Sequence, residues 1–291
     1  MIQISNQHLI VTMTQEGGTL TSIRDAKTGR EYLWQGDPAY WTGQAPNLFP
    51  FVGRLYEKTY TLRGKAYPMT IHGFVRHAQM AVEEEQEASC CFLLTDSPET
   101  LAVYPYRFAF RIRYALEGPV LQVAFQVENR SEEPLYCGMG GHPGFNVPLE
   151  EGLTFEDYEL TFPEACTPRQ VVFSPALQVA PERPAYPLEE GRKLPLRHEL
   201  FDLDAVVLAG APRQVTLSSP KGSHGVTVAY PQMPYVGFWH KPQTDAPYVC
   251  IEPWSVLPGR DNLVEELSQM PDMTTVAPGQ TFENRWSITI W

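Results

Sequence analysis

Four charged or titratable residues of this chain sit in tightly constrained surroundings. Arg54 lies in Asn47-Leu-Phe-Pro-Phe-Val-Gly-Arg54-Leu55 and His72 in Ile71-His-Gly-Phe74. His142 lies in Gly140-Gly-His-Pro-Gly-Phe145 and Glu252 in Tyr248-Val-Cys-Ile-Glu-Pro-Trp254. Glycine and proline fix backbone geometry, and aromatic residues supply apolar walls. That context suits a cleft for a sugar or other small molecule better than a solvated loop. A histidine and a glutamate in one cleft can serve as general acid and general base.

Each residue also has a plainer reading. His142 could be a turn histidine bonded to backbone. Glu252 interrupts an apolar strand, where a carboxylate is costly unless it is paired or lines a cleft. Its pair could be Arg54 or Arg260; in a cleft, partial desolvation would raise its pKa and make it a better base near neutrality. Arg54 could donate two parallel hydrogen bonds to neighbouring hydroxyls or close a salt bridge. Asp204, just ahead of the apolar run Ala205–Leu208, could accept hydroxyl protons or cap a turn. Trp239, in Phe238-Trp-His-Lys-Pro242, could form an aromatic wall or fill the core. His72 and His77 have a His-x4-His spacing, but no neighbouring carboxylate completes a metal set. The chain has no G-x-S-x-G, Walker A or dinucleotide glycine motif, so serine nucleophiles and nucleotide cofactors have no support.

Composition narrows the partners. The 291 residues carry a net charge of −12, which disfavours nucleic acid and anionic membrane surfaces. The five cysteines form no C-x-x-C pair, and the N-terminus lacks a basic and apolar leader. Reduced thiols in a cytoplasm are the expectation. No apolar run reaches the roughly 20 residues of a membrane span.

The elements that must position these residues read as strands. Phe108–Tyr114 and Leu121–Val127 alternate cleanly, so each should bury one face. His8–Thr14, Leu20–Ile23, Glu31–Trp34, Cys90–Thr95, Gln214–Leu217, Gly225–Ala229, Tyr235–Trp239 and Trp286–Trp291 continue the pattern. Thr59–Leu62 and Lys65–Pro68 flank Arg63-Gly64 as a hairpin. Glu83–Glu85 reads as a solvated turn or strand edge. Residues 163–199 are proline-rich and read as a long surface excursion. Helical signal is scarce: Asp261–Met270, capped by Asp261 and stopped by Pro271, and a short turn begun by Ser97-Pro98. No linker divides the chain, so 1–291 reads as a single domain. The expected class is all-β: two large antiparallel sheets face to face, with few short helices.

Taken together and in order, the Asn47–Leu55 run, the His72-Gly-Phe segment, Gly141-His-Pro-Gly-Phe145 and Cys250-Ile-Glu-Pro-Trp254 resemble the aldose 1-epimerase (galactose mutarotase) family, in its LacX-like bacterial branch. The resemblance spans nearly the whole chain. It implies a β supersandwich with a sugar cleft on one sheet and cofactor-free, metal-free interconversion of α and β anomers of a hexose. By the match of motifs, His142 resembles the general acid and Glu252 the general base. Arg54, His72 and Asp204 resemble the residues that hold the sugar, and Trp239 is added to them as a wall. Glu252 ionised and His142 protonated is the implied starting state. His142 is followed by Pro-Gly-Phe and Glu252 by Pro-Trp, unlike the better-known galactose mutarotases, so the sugar stays open. A hexose 6-phosphate, with Arg54, Arg76 or Lys241 as anion contacts, is one alternative. A non-catalytic sugar-binding or sensing protein is another. A glycan hydrolase is disfavoured, because only one confident carboxylate is offered. Both monomer and homodimer are compatible with the sequence.

Overall fold

A computed structural model describes residues 1–291. Two antiparallel sheets dominate. The larger has nine strands, in the order Lys193–Pro195, Glu159–Thr161, Gln214–Ser218, Gly225–Ala229, Thr281–Ile290, Val120–Asn129, Phe108–Glu117, Ser89–Thr95 and Ala81–Glu85. The second runs Arg169–Val171, Val206–Ala209, Tyr235–Trp239, Tyr248–Trp254, Gly140–Gly141 and Asn47–Leu48, with Gly144–Asn146 also paired to Tyr248–Trp254. The all-β expectation holds.

Side-chain alternation explains why the sheets stack. In Val120–Asn129 every second residue from Leu121 is buried, the period-2 pattern of a half-buried strand. Tyr248–Trp254 is buried along its whole length. Its Val249 and Ile251 join a cluster of 63 buried side chains that also takes in Phe110, Phe125 and Trp286 of the nine-stranded sheet. Tyr248, Cys250, Glu252 and Trp254 therefore share the opposite face, away from that core. Tyr235–Trp239 behaves likewise, with Val236 and Phe238 in the core and Tyr235, Gly237 and Trp239 on the other side. One face of the smaller sheet is thus free to carry a site.

Three local expectations are met. Arg63 and Gly64 both adopt positive φ, as a two-residue hairpin turn of this hand requires. Ser97 caps a helix at Pro98–Val103 through a reciprocal capping box with Thr100. Ala81–Glu85 is the edge of the large sheet, and its Glu83 and Glu84 are neutralised by Arg111 and Arg113 at 2.7 Å and 2.6 Å. All five cysteines are free thiols. No helix is long and apolar enough to cross a membrane.

Three expectations fail. Asp261–Met270 is not helical, apart from a single turn at Leu267–Gln269. Asn262 takes a left-handed φ of 57°. The Thr61 N–H donates to Glu265 O at 2.8 Å, and Glu266 bridges Thr61, so the segment runs alongside the hairpin instead. Tertiary pairing overrides local propensity there. Glu31–Trp34 makes only isolated bridges, to Arg24 and Phe145. Residues 163–199 are no mere surface excursion: they supply an edge strand to each sheet, and Val171 and Val179 are buried in one cluster with Val207 and Trp254.

Candidate active site

The smaller sheet's free face floors a cleft of about 450 Å³. All six residues singled out from the sequence line it: Arg54, His72, His142, Asp204, Trp239 and Glu252.

Strand register brings His142 and Glu252 together. Gly140 pairs with Trp254 and Gly144 with Cys250. The intervening residues fall opposite one another in the same register, so His142 faces Glu252 across the strand gap. Its Nε2 lies 3.3 Å from the Glu252 carboxylate. The glycines beside His142 are there for space. A Cβ on Gly141 would lie 2.5 Å from the Trp286 ring, and one on Gly140 2.8 Å from Pro253 O. Pro143 O accepts the Ile251 N–H at 3.1 Å, which ties the far side of the turn to the glutamate's own strand. Glu252 thus pairs with neither arginine considered for it: Arg260 binds Glu265, and Arg54 forms no ion pair.

Burial shapes the chemistry of the pair. His142 is 8% exposed and Glu252 2% exposed. Desolvation pushes His142 below the ordinary histidine value, with Arg76 adding to the shift. Desolvation also lifts Glu252 well above the ordinary carboxylate value, helped by the nearby Asp204 charge. The Trp254 indole N–H, which has no well-formed hydrogen bond of its own, opposes that rise. Both shifts favour a pair that is neutral overall and holds one exchangeable proton. The ion pair expected from the sequence and this neutral form differ only in where that proton sits. Nδ1 of His142 is buried with no partner.

His72 stands beside this pair, its ring centroid 5.6 Å from that of His142. Its φ of 64° is left-handed, an uncommon and strained state for a residue with a side chain. Gly53 holds it there: Gly53 N–H donates to His72 Nδ1 at 3.1 Å, and His72 N–H donates to Gly53 O at 2.9 Å. Desolvation, with the neighbouring His142, keeps the ring neutral. A neutral ring that accepts at Nδ1 carries its hydrogen on Nε2, so His72 offers the cleft a fixed donor. His77 lies elsewhere, exposed and 3.9 Å from Glu16, so the two histidines form no metal site.

Trp239 ends the strand Tyr235–Trp239, and the other walls come from loops. Trp41 packs over the His142 ring at 5.1 Å and meets Trp239 edge-on at 5.4 Å. Trp239 in turn meets His142 at 5.7 Å. Asp204 enters from the turn before Val206–Ala209 with φ 115°, and burial raises its pKa. Arg54 and Arg76 also line the cleft, and neither closes an ion pair. Lys241 does not line it; its ammonium donates to Ala39 O at 3.2 Å.

Trp41, Phe173 and Leu177 are among the lining residues that the sequence reading missed. Trp41 stands between Asp37-Pro38 and Gly43, the same aromatic-and-glycine context that marked the others, so a signal was present. Phe173 and Leu177 belong to the proline-rich 163–199 segment and carried no local signal.

Known proteins resemble this chain in sequence and in fold. The family model described as aldose 1-epimerase matches residues 1–289. The plasmid-encoded protein LacX of Lactococcus lactis subsp. lactis is 37% identical over 302 aligned positions, covering 99% of each chain. The X-ray structure of a galactose mutarotase related enzyme from Lactobacillus acidophilus superposes with a TM-score of 0.94 at 34% identity, covering 99% of this chain and 96% of that one. A galactose mutarotase-like protein from Lactobacillus casei gives a TM-score of 0.94 at 28% identity, covering all of both chains.

Proposed function

This chain belongs to the aldose 1-epimerase family, and from that premise we propose that it interconverts the α and β anomers of a hexose, with Glu252 as base and His142 as acid. The observation that carries the proposal is the 3.3 Å separation of His142 Nε2 and the Glu252 carboxylate at the cleft floor. The two sugar oxygens that exchange protons, O1 and O5, are bonded to the same carbon. An acid and a base serving both must therefore stand side by side.

In the forward half-reaction the pair's proton first shifts from Glu252 to His142; Glu252 then takes the proton from the C1 hydroxyl and His142 gives one to O5. The C1–O5 bond breaks, its electron pair stays on O5, and C1 becomes an aldehyde. Rotation about C1–C2 presents the other carbonyl face. Glu252 then returns its proton to O1 while His142 recovers one from the O5 hydroxyl as the ring closes. The pair ends with the single proton it began with, so no other cofactor is called for. Moving that proton between two adjacent groups of opposed shift is easier than charging either alone. Arg54, the Nε2–H of His72 and Asp204 hold the hydroxyls; Trp41 and Trp239 give the apolar face of the ring a surface to rest on.

Polarimetry on freshly dissolved α-D-glucose and α-D-galactose tests the reading; equilibration no faster than in buffer, with both sugars and their phosphates, would refute it. The pH profile is a second expected result. The pair works while it holds one proton. It gains a second only as pH falls through the lowered histidine value, and loses its only one as pH rises through the raised glutamate value. The acid limb of kcat/KM, which reports the free enzyme, should therefore lie below pH 6.5, the ordinary histidine value, and the alkaline limb far above 4.5, the ordinary carboxylate value. An acid limb above 6.5 would contradict the assignment.

A hexose 6-phosphate is the second reading, favoured by two arginines that line the cleft without carboxylate partners. Burial holds Arg76 below the ordinary arginine value, a cost that an anion would relieve. If this reading is right, Arg76→Gln should raise KM for glucose 6-phosphate at least about tenfold, one charge-assisted contact, and leave KM for glucose nearly unchanged. Equal KM changes for both sugars would remove it.

A further inference from the structure

We propose that His142, Cys250 and Glu252 together form a binding site for a divalent transition-metal ion of the zinc class, and that its occupancy blocks the reaction. One ligand atom from each residue lies within 4.8 Å of the other two, and all three residues are buried. Cys250 and Glu252 are two apart on one strand, so their side chains share the cleft-side face. His142 faces them from the two-residue link between the short strands Gly140–Gly141 and Gly144–Asn146.

The distances suit a tetrahedral ion. With metal–nitrogen and metal–oxygen bonds of about 2.0–2.1 Å, a tetrahedral centre sets its nitrogen and oxygen ligands about 3.3 Å apart. His142 Nε2 and the Glu252 oxygen are separated by 3.3 Å already. With a metal–sulfur bond of about 2.3 Å, the sulfur belongs about 3.6 Å from each, and the Cys250 sulfur already lies within 4.8 Å of both. Nitrogen, oxygen and thiolate together are a donor set for zinc or cobalt, not for calcium or magnesium. Three protein ligands leave a fourth position facing the cleft, for a water or a sugar hydroxyl. On binding, the Cys250 S–H bond breaks and the proton shared by His142 Nε2 and the Glu252 carboxylate leaves; both protons go to the buffer as the metal–sulfur, metal–nitrogen and metal–oxygen bonds form, and nothing is oxidised or reduced. The ion then occupies the gap through which the acid and base act.

Cys250 gives the site its test, because it plays no part in the proton transfers. Added Zn²⁺ should abolish anomer exchange by the wild-type protein, and a chelator should restore it. Cys250→Ser should keep the basal rate within about twofold and need at least about tenfold more Zn²⁺ for the same inhibition, since even outer-shell losses cost about 10–100-fold in metal affinity. Cys250→Ala serves the same purpose if the serine variant folds poorly. A second readout is independent of catalysis: Co²⁺ added to wild-type protein should give a thiolate-to-cobalt charge-transfer band, displaced by Zn²⁺ and missing in both variants. The inhibition readout rests on the anomer-exchange reading, whereas the cobalt band does not, so the two can fail separately. No cobalt–thiolate band in the wild type, or inhibition of Cys250→Ser at wild-type Zn²⁺ concentrations, would overturn the proposal.

Discussion

Glu252→Gln is expected to slow anomer exchange by about 10²–10⁴-fold, the usual worth of one positioned proton transfer. Glutamine keeps the shape of the side chain and cannot take the C1 hydroxyl proton. The same substitution should not cost stability. Glu252 is buried, and its pKa is raised in the folded protein. The sign follows: above pH 4.5 the unfolded chain releases this proton more readily than the folded one, so folding is penalised as pH rises toward the raised value. Glutamine removes that penalty. Activity should therefore collapse while the urea midpoint at pH 7 holds or rises, the exchange expected of a strained catalytic group. His142→Asn should lose a similar factor, and the double variant little more than either single, because the two residues act as one unit. Polarimetry and urea unfolding of the three variants decide the matter. A wild-type rate in Glu252→Gln would end the acid–base assignment, and fully multiplicative losses would mean the residues act separately.

The second large effect concerns Gly73. It has a φ of 74°, and a Cβ there would lie 2.1 Å from Phe49 O and 2.4 Å from Phe49 C. That carbonyl is already engaged, accepting the N–H groups of Phe74 and Val75, so it cannot retreat without breaking them. Gly73→Ala should thus cost about 3 kcal/mol or more, at the upper end for one strained position. It should also disturb the adjoining His72 and raise KM. Gly29→Ala is the control, with a φ of 73° and nothing within 4 Å of the added Cβ. Only left-handed strain remains there, about 1–2 kcal/mol. Equal urea midpoints for the two variants would show that the close approach to Phe49 does not matter.

What could be read from the sequence depended on the range of the interaction. Strands such as Phe108–Glu117 declare themselves because alternation is local. The Arg63-Gly64 hairpin and the Ser97 cap need only four residues of context. Glu252 stood out because a carboxylate inside an apolar strand is costly, and His142 because its glycines and proline break a strand. Their mutual register was hidden, since it is set by pairings between segments more than 100 positions apart. The supposed helix at Asp261–Met270 failed for the same reason: its capping residues are genuine signals, outvoted by backbone bonds to Thr61 and Val179. Phe173 and Leu177 were invisible because their segment reads as polar connection until the sheet beneath it is known.

The acid and the base are held by paired strands, whereas Arg54, Trp41, Asp204, Phe173 and Leu177 reach the cleft from connecting segments. Reaction and recognition therefore answer to different parts of the chain. Segments that vary freely can redraw the substrate's outline while the strand register leaves the proton-transfer geometry alone. For an engineer this makes the connection after Val171 and the turn around Asp204 the places to diversify for a new sugar, with the Gly140–Asn146 and Tyr248–Trp254 pairing kept as a fixed chassis.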